Sequence, residues 1–152
     1  MLDESLAAFL QEGLAINIGT RNARLEPNGA RVSAVRVEPD RSTVVAYVPK
    51  VAAQPILADL QANGQGALGF ARPSDDRACQ VKGVFVEWWT ATAAERRFVE
   101  AQLQGAMTQL GIVGIPPEAL ANWVTWPCVA IRLRVTATFT QTPGPGAGAP
   151  LP

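Results

Sequence analysis

The chain has 152 residues, 48% of them hydrophobic and 17% charged, and its formal net charge is +0. That length buries a core without a metal or disulfide staple, and that composition belongs to an ordinary globular protein rather than a disordered one. With no basic surplus to neutralise a run of phosphates, the balance argues against a dedicated nucleic-acid binder.

The first residues, Met1-Leu2-Asp3-Glu4-Ser5, are acidic where an export signal needs basic groups, and no apolar run is long enough to span a bilayer. A cytoplasmic protein without membrane contact is expected. Residues 3–12 predict a helix, with Leu2, Leu6, Phe9 and Leu10 on one face and Gly13 as its stop. Residues 14–20 alternate apolar and other positions, which predicts a strand. Glu26-Pro27-Asn28-Gly29 is turn chemistry. One strand over residues 30–37 should follow, then a turn at Pro39-Asp40-Arg41-Ser42 and a third strand over 43–48. Residues 51–62 predict a helix. Pro55 is tolerated only in a first turn, so the regular part should start near Gln54.

A fourth strand is expected over 66–71, a polar loop over 72–76 and a long fifth strand over 79–89. Thr92 and Glu95 form a capping box that opens a helix carrying Val99, Leu103, Ala106, Met107 and Leu110. Pro116-Pro117 begins a short helical turn. From Val129 to Phe139 the odd positions are apolar and the even ones mostly polar, so one face of a last strand is core. Residues 142–152 are almost all Pro, Gly and Ala and predict a mobile tail beyond a single domain over 1–141. Six strands with interspersed helices fit an antiparallel barrel or a strongly curled sheet.

There is no histidine. That removes Ser-His-Asp and Cys-His nucleophiles, the usual zinc sites and a histidine-ligated haem. No metal site is expected, and Cys79 and Cys128 read as separate free thiols of a reducing compartment. Phosphate loops and dinucleotide fingerprints are missing. Asp75 and Asp76 are neighbours in a loop and point apart rather than forming a catalytic pair. Trp88 and Trp89 must face opposite sides of their strand. One belongs to the core; the other is left for an interface or a ring-shaped ligand.

Three segments carry a resemblance: Tyr47-Val48-Pro49-Lys50 with Gln54 and the helix ending Leu60-Gln61-Ala62-Asn63-Gly64; the strand Gly66-Ala67-Leu68-Gly69-Phe70; and Cys79-Gln80-Val81-Lys82-Gly83. In this order they resemble the pyridoxamine-phosphate oxidase superfamily of flavin-binding split barrels. The resemblance implies a β-rich α+β fold, a six-stranded antiparallel split β-barrel with flanking helices. It further implies an FMN-binding homodimer with the flavin between subunits. The phosphate would meet Arg31, Ser33 and Lys50, with Val48 and Gln54 close by. Gln80 would meet the isoalloxazine edge, and Lys82 would place positive charge near the ring. Pro49 stands where many relatives have a hydroxyl, and the Arg-Leu-x-Pro signature of the vitamin-processing enzyme is missing from Arg132-Leu133-Arg134. The residues alone equally allow solvated strand-end charges at Arg31 and Lys50. The functional expectation is a flavin-dependent oxidoreductase of unknown substrate; the alternatives are a non-catalytic cofactor carrier and a dimer that has lost its flavin.

Overall fold

Each predicted strand forms, and one of them breaks in two. A computed structural model describes residues 1–152. Helix α1 (Glu4–Phe9) precedes β1 (Ala15–Arg21), β2 (Pro27–Val32), β3 (Ala34–Val37) and β4 (Thr43–Pro49). Then come α2 (Lys50–Asn63), β5 (Gln65–Ala71), β6 (Ala78–Thr90), α3 (Ala93–Ile112), a 3-10 turn (Pro117–Leu120) and β7 (Cys128–Thr140). The strands form one seven-stranded sheet in the order β2-β1-β5-β6-β7-β4-β3, antiparallel throughout.

The seventh strand corrects the expected six. Residues 30–37 do not run as one strand, because the chain kinks at Ser33, whose N–H donates to the Tyr47 carbonyl at 2.8 Å. The kink shifts the side-chain phase by one. Val32 and Val35 enter the main core, while Ala34 joins a smaller cluster on the other face. Only Ser33 separates β2 from β3, yet the two stand at opposite edges of the sheet. The sheet must therefore curl until its edges approach, leaving a split between them.

The barrel is filled by the inward rows of its strands together with Leu6, Phe9 and Leu10 of α1 and Ile56 and Leu60 of α2. Helix α3 packs outside on β3, β4 and β7 through Val99. Its Gln102 amide donates to the Val35 carbonyl at 2.7 Å and accepts the Val35 N–H at 2.8 Å, pairing the free edge of β3 as a strand would. A methyl group on Gly13 would fall on the backbone of Gly105 and Ala106, so a bare Gly13 lets the α1–β1 link press against α3.

Three further expectations change. Helix α2 is regular from Lys50, not from near Gln54, and Pro55 lies inside it. The bond that Pro55 cannot make concerns the carbonyl of Val51, itself a 76% exposed residue, where water can serve. In β7 the alternation holds through Val129, Ile131 and Leu133. The register then shifts between the pairs Lys82–Ala137 and Gly83–Val135, leaving Thr136 as a bulge. Beyond it Thr138 is the buried residue and Phe139 turns outward. Finally, residues of the 142–152 segment, expected to be mobile, turn back on β7: the Leu151 N–H donates to the Thr138 carbonyl at 2.8 Å, and Pro150 bridges Phe139.

Candidate cofactor site

Helix α2 begins where β4 ends, and no side chain caps its first turn, because Pro49 occupies the cap position. Lys50 is the first helical residue; its N–H donates to the Pro127 carbonyl at 2.8 Å, and its side chain is exposed. Between α2 and the ends of β6 and β7 lies a groove of about 410 Å³, walled by Lys50, Gln54, Leu57, Trp88, Thr90 and Val129. Trp88 reaches this groove through a bulge. The register of β6 shifts between Phe85 and Glu87, so Trp88 pairs with Ile131 and Trp89 with Ala130. Trp88 is left 41% exposed on the α2 side. Trp89 packs in the cluster under α3 and donates from its Nε1 to Glu95. Lys50 enters no ion pair. The groove thus offers an open indole face, one free cation and the side-chain amide of Gln54.

The other expected site residues lie elsewhere in the chain. Arg31 stacks on Trp123, its guanidinium carbon 3.7 Å from the ring centre. The Ser33 hydroxyl donates to the Thr125 carbonyl at 2.9 Å. Both line a slot of only about 40 Å³ against α3. The Val48 side chain is fully buried in the core and faces no groove. Gln80 and Lys82 stand on the outward face of β6, and Lys82 borders a second groove of about 410 Å³ with Arg21 and Gln65. Within one chain, then, Arg31, Ser33 and Lys50 do not form a common phosphate cradle. The kink at Ser33 and the segment after α3 account for this: they hold Arg31 and Ser33 under Trp123 and Thr125, while Lys50 leaves β4 on α2. Sequence reasoning missed Arg21, whose outward place is settled only by the pairing of β1 with its neighbours.

Electrostatics elsewhere is mostly self-compensated. Burial pushes the Tyr47 phenol above its ordinary range. Burial likewise pushes both thiols, Cys79 and Cys128, up to about 11, so they stay protonated and unreactive at neutral pH. In the 72–77 loop, Arg72 pairs with Asp75 at 2.8 Å and with Glu12 at 2.8 Å, which ties the loop to the link between α1 and β1.

No protein-family model and no curated protein matches the sequence. Solved structures match its fold. An F420 reductase superposes with a TM-score of 0.60 at 16% identity, over 90% of this chain and 98% of that one. A pyridoxamine 5'-phosphate oxidase-related, FMN-binding protein from Nostoc punctiforme gives 0.51 at 12% identity, over 95% of this chain and 87% of the other. HutZ, a heme storage protein from Vibrio cholerae, gives 0.51 at 13%, over 91% and 94%. The fold is that of the pyridoxamine 5'-phosphate oxidase-like split barrels. Among these three split barrels the names alone cover flavin, F420 and heme, so the shape of the barrel does not choose the ligand; the side chains must. No helix is long and apolar enough to cross a membrane.

Proposed function

We propose that this split barrel binds FMN in the α2 groove, works as a homodimer whose second copy closes the groove's open side, and serves a flavin-dependent oxidation or reduction. The observation that carries the reading is the α2 groove itself, where a free Lys50, the Gln54 amide and an open Trp88 face share one wall. A planar ring lies well against an indole. A dianionic phosphate would be met by the Lys50 side chain, at the positive end of α2, whose first turn no side chain caps. Among the ligands named for its structural neighbours, heme fits less well. The chain has no histidine, both thiols are buried, and the single tyrosine is buried with its hydroxyl already bound to Glu95 and Arg36.

Bound flavin would supply the hydride chemistry. The chain's part is to hold and orient it. Lys50 neutralises the phosphate, Trp88 and Leu57 exclude water from one ring face, and the Gln54 amide orients a polar edge. The groove contains no carboxylate, which also favours a second reading, a carrier that binds the cofactor without turning over a substrate.

Titration with FMN, F420 and hemin, followed by fluorescence quenching and absorbance, tests the proposal. FMN should bind tightest, and Lys50→Ala should weaken it about tenfold or more, the worth of one charge-assisted contact. Equal affinity in wild type and variant removes Lys50 and this groove from the reading. Bound FMN that no nicotinamide donor reduces favours the carrier. Sedimentation of the loaded protein tests the homodimer.

A further inference from the structure

Helix α3 covers the outward face over β3, β4 and the start of β7. The outward positions around Gly19 and Gly69, where an added methyl group would meet nothing within 4 Å, stay open, and the strand registers turn this part of β2, β1, β5, β6 and β7 into a grid. One row across it runs from Arg31 through Asn17, Gly69 and Gln80 to Phe139. The next runs from Gly29 and Gly19 through Ala67 to Lys82 and Ala137. In the third, Arg21 pairs with Pro27 and donates to Gln65, which lies opposite Val84 and, beyond it, Arg134. The grid therefore carries Arg21, Arg31, Lys82 and Arg134 and no carboxylate. None of these four takes part in an ion pair, whereas Arg24, Arg36, Arg72, Arg96 and Arg132 all do. On a chain of zero net charge this is a segregation of charge, not a surplus.

At the centre of the grid lies the groove of about 410 Å³, bordered by Arg21, Lys82, Gln65 and Thr136. Arg21 and Lys82 occupy diagonal corners, two strands apart, with Ala67 between them. Lys82 is steadied by the Phe139 ring, whose centre lies 4.9 Å from Nζ. A methyl group built on Gly19 would meet nothing within 4 Å, so internal packing does not require the bare backbone there. It leaves room above the sheet.

We propose that this groove binds a phosphorylated small molecule, with two oxyanion groups bridging Arg21 and Lys82. The site lies on a different face from the FMN groove and does not depend on it. Two separated cations suit a diphosphate better than a single phosphate, and the guanidinium adds a directional fork. A second copy of the chain meeting this face like to like would set cation against cation, so the face suits an anion rather than itself.

Calorimetry with inorganic pyrophosphate and with adenosine diphosphate tests this on the full-length protein. Wild type should bind at least one of them, and Lys82→Gln and Arg21→Gln should each weaken that binding about tenfold. Tighter adenosine diphosphate assigns a nucleotide; equal affinities assign a free polyphosphate. Gly19→Asp, which has space for its side chain, should abolish binding while the urea midpoint stays within reach of wild type. Lys50→Ala should leave pyrophosphate affinity unchanged, just as Arg21→Gln should leave FMN affinity unchanged, so the two sites stand or fall separately. Binding of neither probe at millimolar concentration, or affinities untouched by Lys82→Gln and Arg21→Gln, overturns the site.

Discussion

Glu95 accepts hydrogen bonds from the Thr92 N–H at 2.8 Å, from Trp89 Nε1 at 3.2 Å and from the Tyr47 hydroxyl at 3.0 Å. Burial opposes its ionisation, but these donors together outweigh burial and hold its carboxyl below its ordinary value of 4.5. A carboxylate depressed in the folded state stabilises fully above that ordinary value and loses its contribution as pH falls through the lower, folded-state one. Glu95→Gln should therefore be less stable than wild type by about 1–2 kcal/mol at pH 7. It should also lose less stability between pH 5 and 3 (roughly the carboxylate range), as urea unfolding at each pH would show; parallel pH profiles would remove Glu95 from acid unfolding. The capping half of this arrangement is legible in the sequence, because Thr92 and Glu95 are partners three residues apart. Tyr47 and Trp89 are not legible as its co-donors, because the fold alone brings them there. The two thiols give a second test. In the native protein Cys79 and Cys128 should resist iodoacetamide at pH 8, and both should react once urea unfolds the chain. Rapid native labelling would contradict their burial.

At the scale of elements, the edges of the sheet decide the design. Strand β3 is an edge whose Val35 would face α3 with both backbone groups unpaired were it not for Gln102. Gln102→Leu fills similar space but leaves that N–H and carbonyl buried without partners, and should cost about 2–3 kcal/mol by urea unfolding. Gly13→Ala acts at the other contact of α3. Backbone must move to admit the methyl group, so a loss of about 1–3 kcal/mol is expected. A loss near zero in either variant would mean that α3 is not seated as described. Alternation, capping and stop signals are local, which is why β1, β4, α2 and α3 can be placed from residue types alone. The kink at Ser33 and the bulges at Val86 and Thr136 are set by which strands lie alongside, so local pattern misses the break in residues 30–37 and misplaces Phe139. The same cause explains the candidate site. Lys50 and Gln54 stand one turn apart because α2 is helical from Lys50 on, whereas Arg31 and Ser33 depend on a strand break that no local pattern reveals.

Taken whole, the molecule closes its barrel with its own ends. Strand β4 pairs with β7 only as far as Thr43 and Arg134, so the next stretch of β7 needs another partner. The Val135 N–H finds the Ser42 carbonyl at 2.8 Å. Beyond it the segment after β7 folds back: the Thr140 N–H donates to Ala149 at 2.9 Å, and the Gly148 N–H to Thr140 at 2.7 Å. Leu151 then packs against the main core at the end of the barrel, where Leu2 and Val135 also lie. Composition alone predicts that such a Pro/Gly-rich stretch cannot offset its ordering entropy. The reckoning changes because one leucine buries apolar surface and three N–H groups complete an edge that is otherwise open. Leu151→Asp should sever that anchor, lowering stability by about 1–2 kcal/mol and speeding exchange of the Thr140 and Leu151 amides about tenfold or more relative to wild type. Because the α2 groove lies away from this edge, the FMN affinity proposed for it should not change. Fast exchange of those amides already in the wild type would show instead that the segment does not hold the edge of β7.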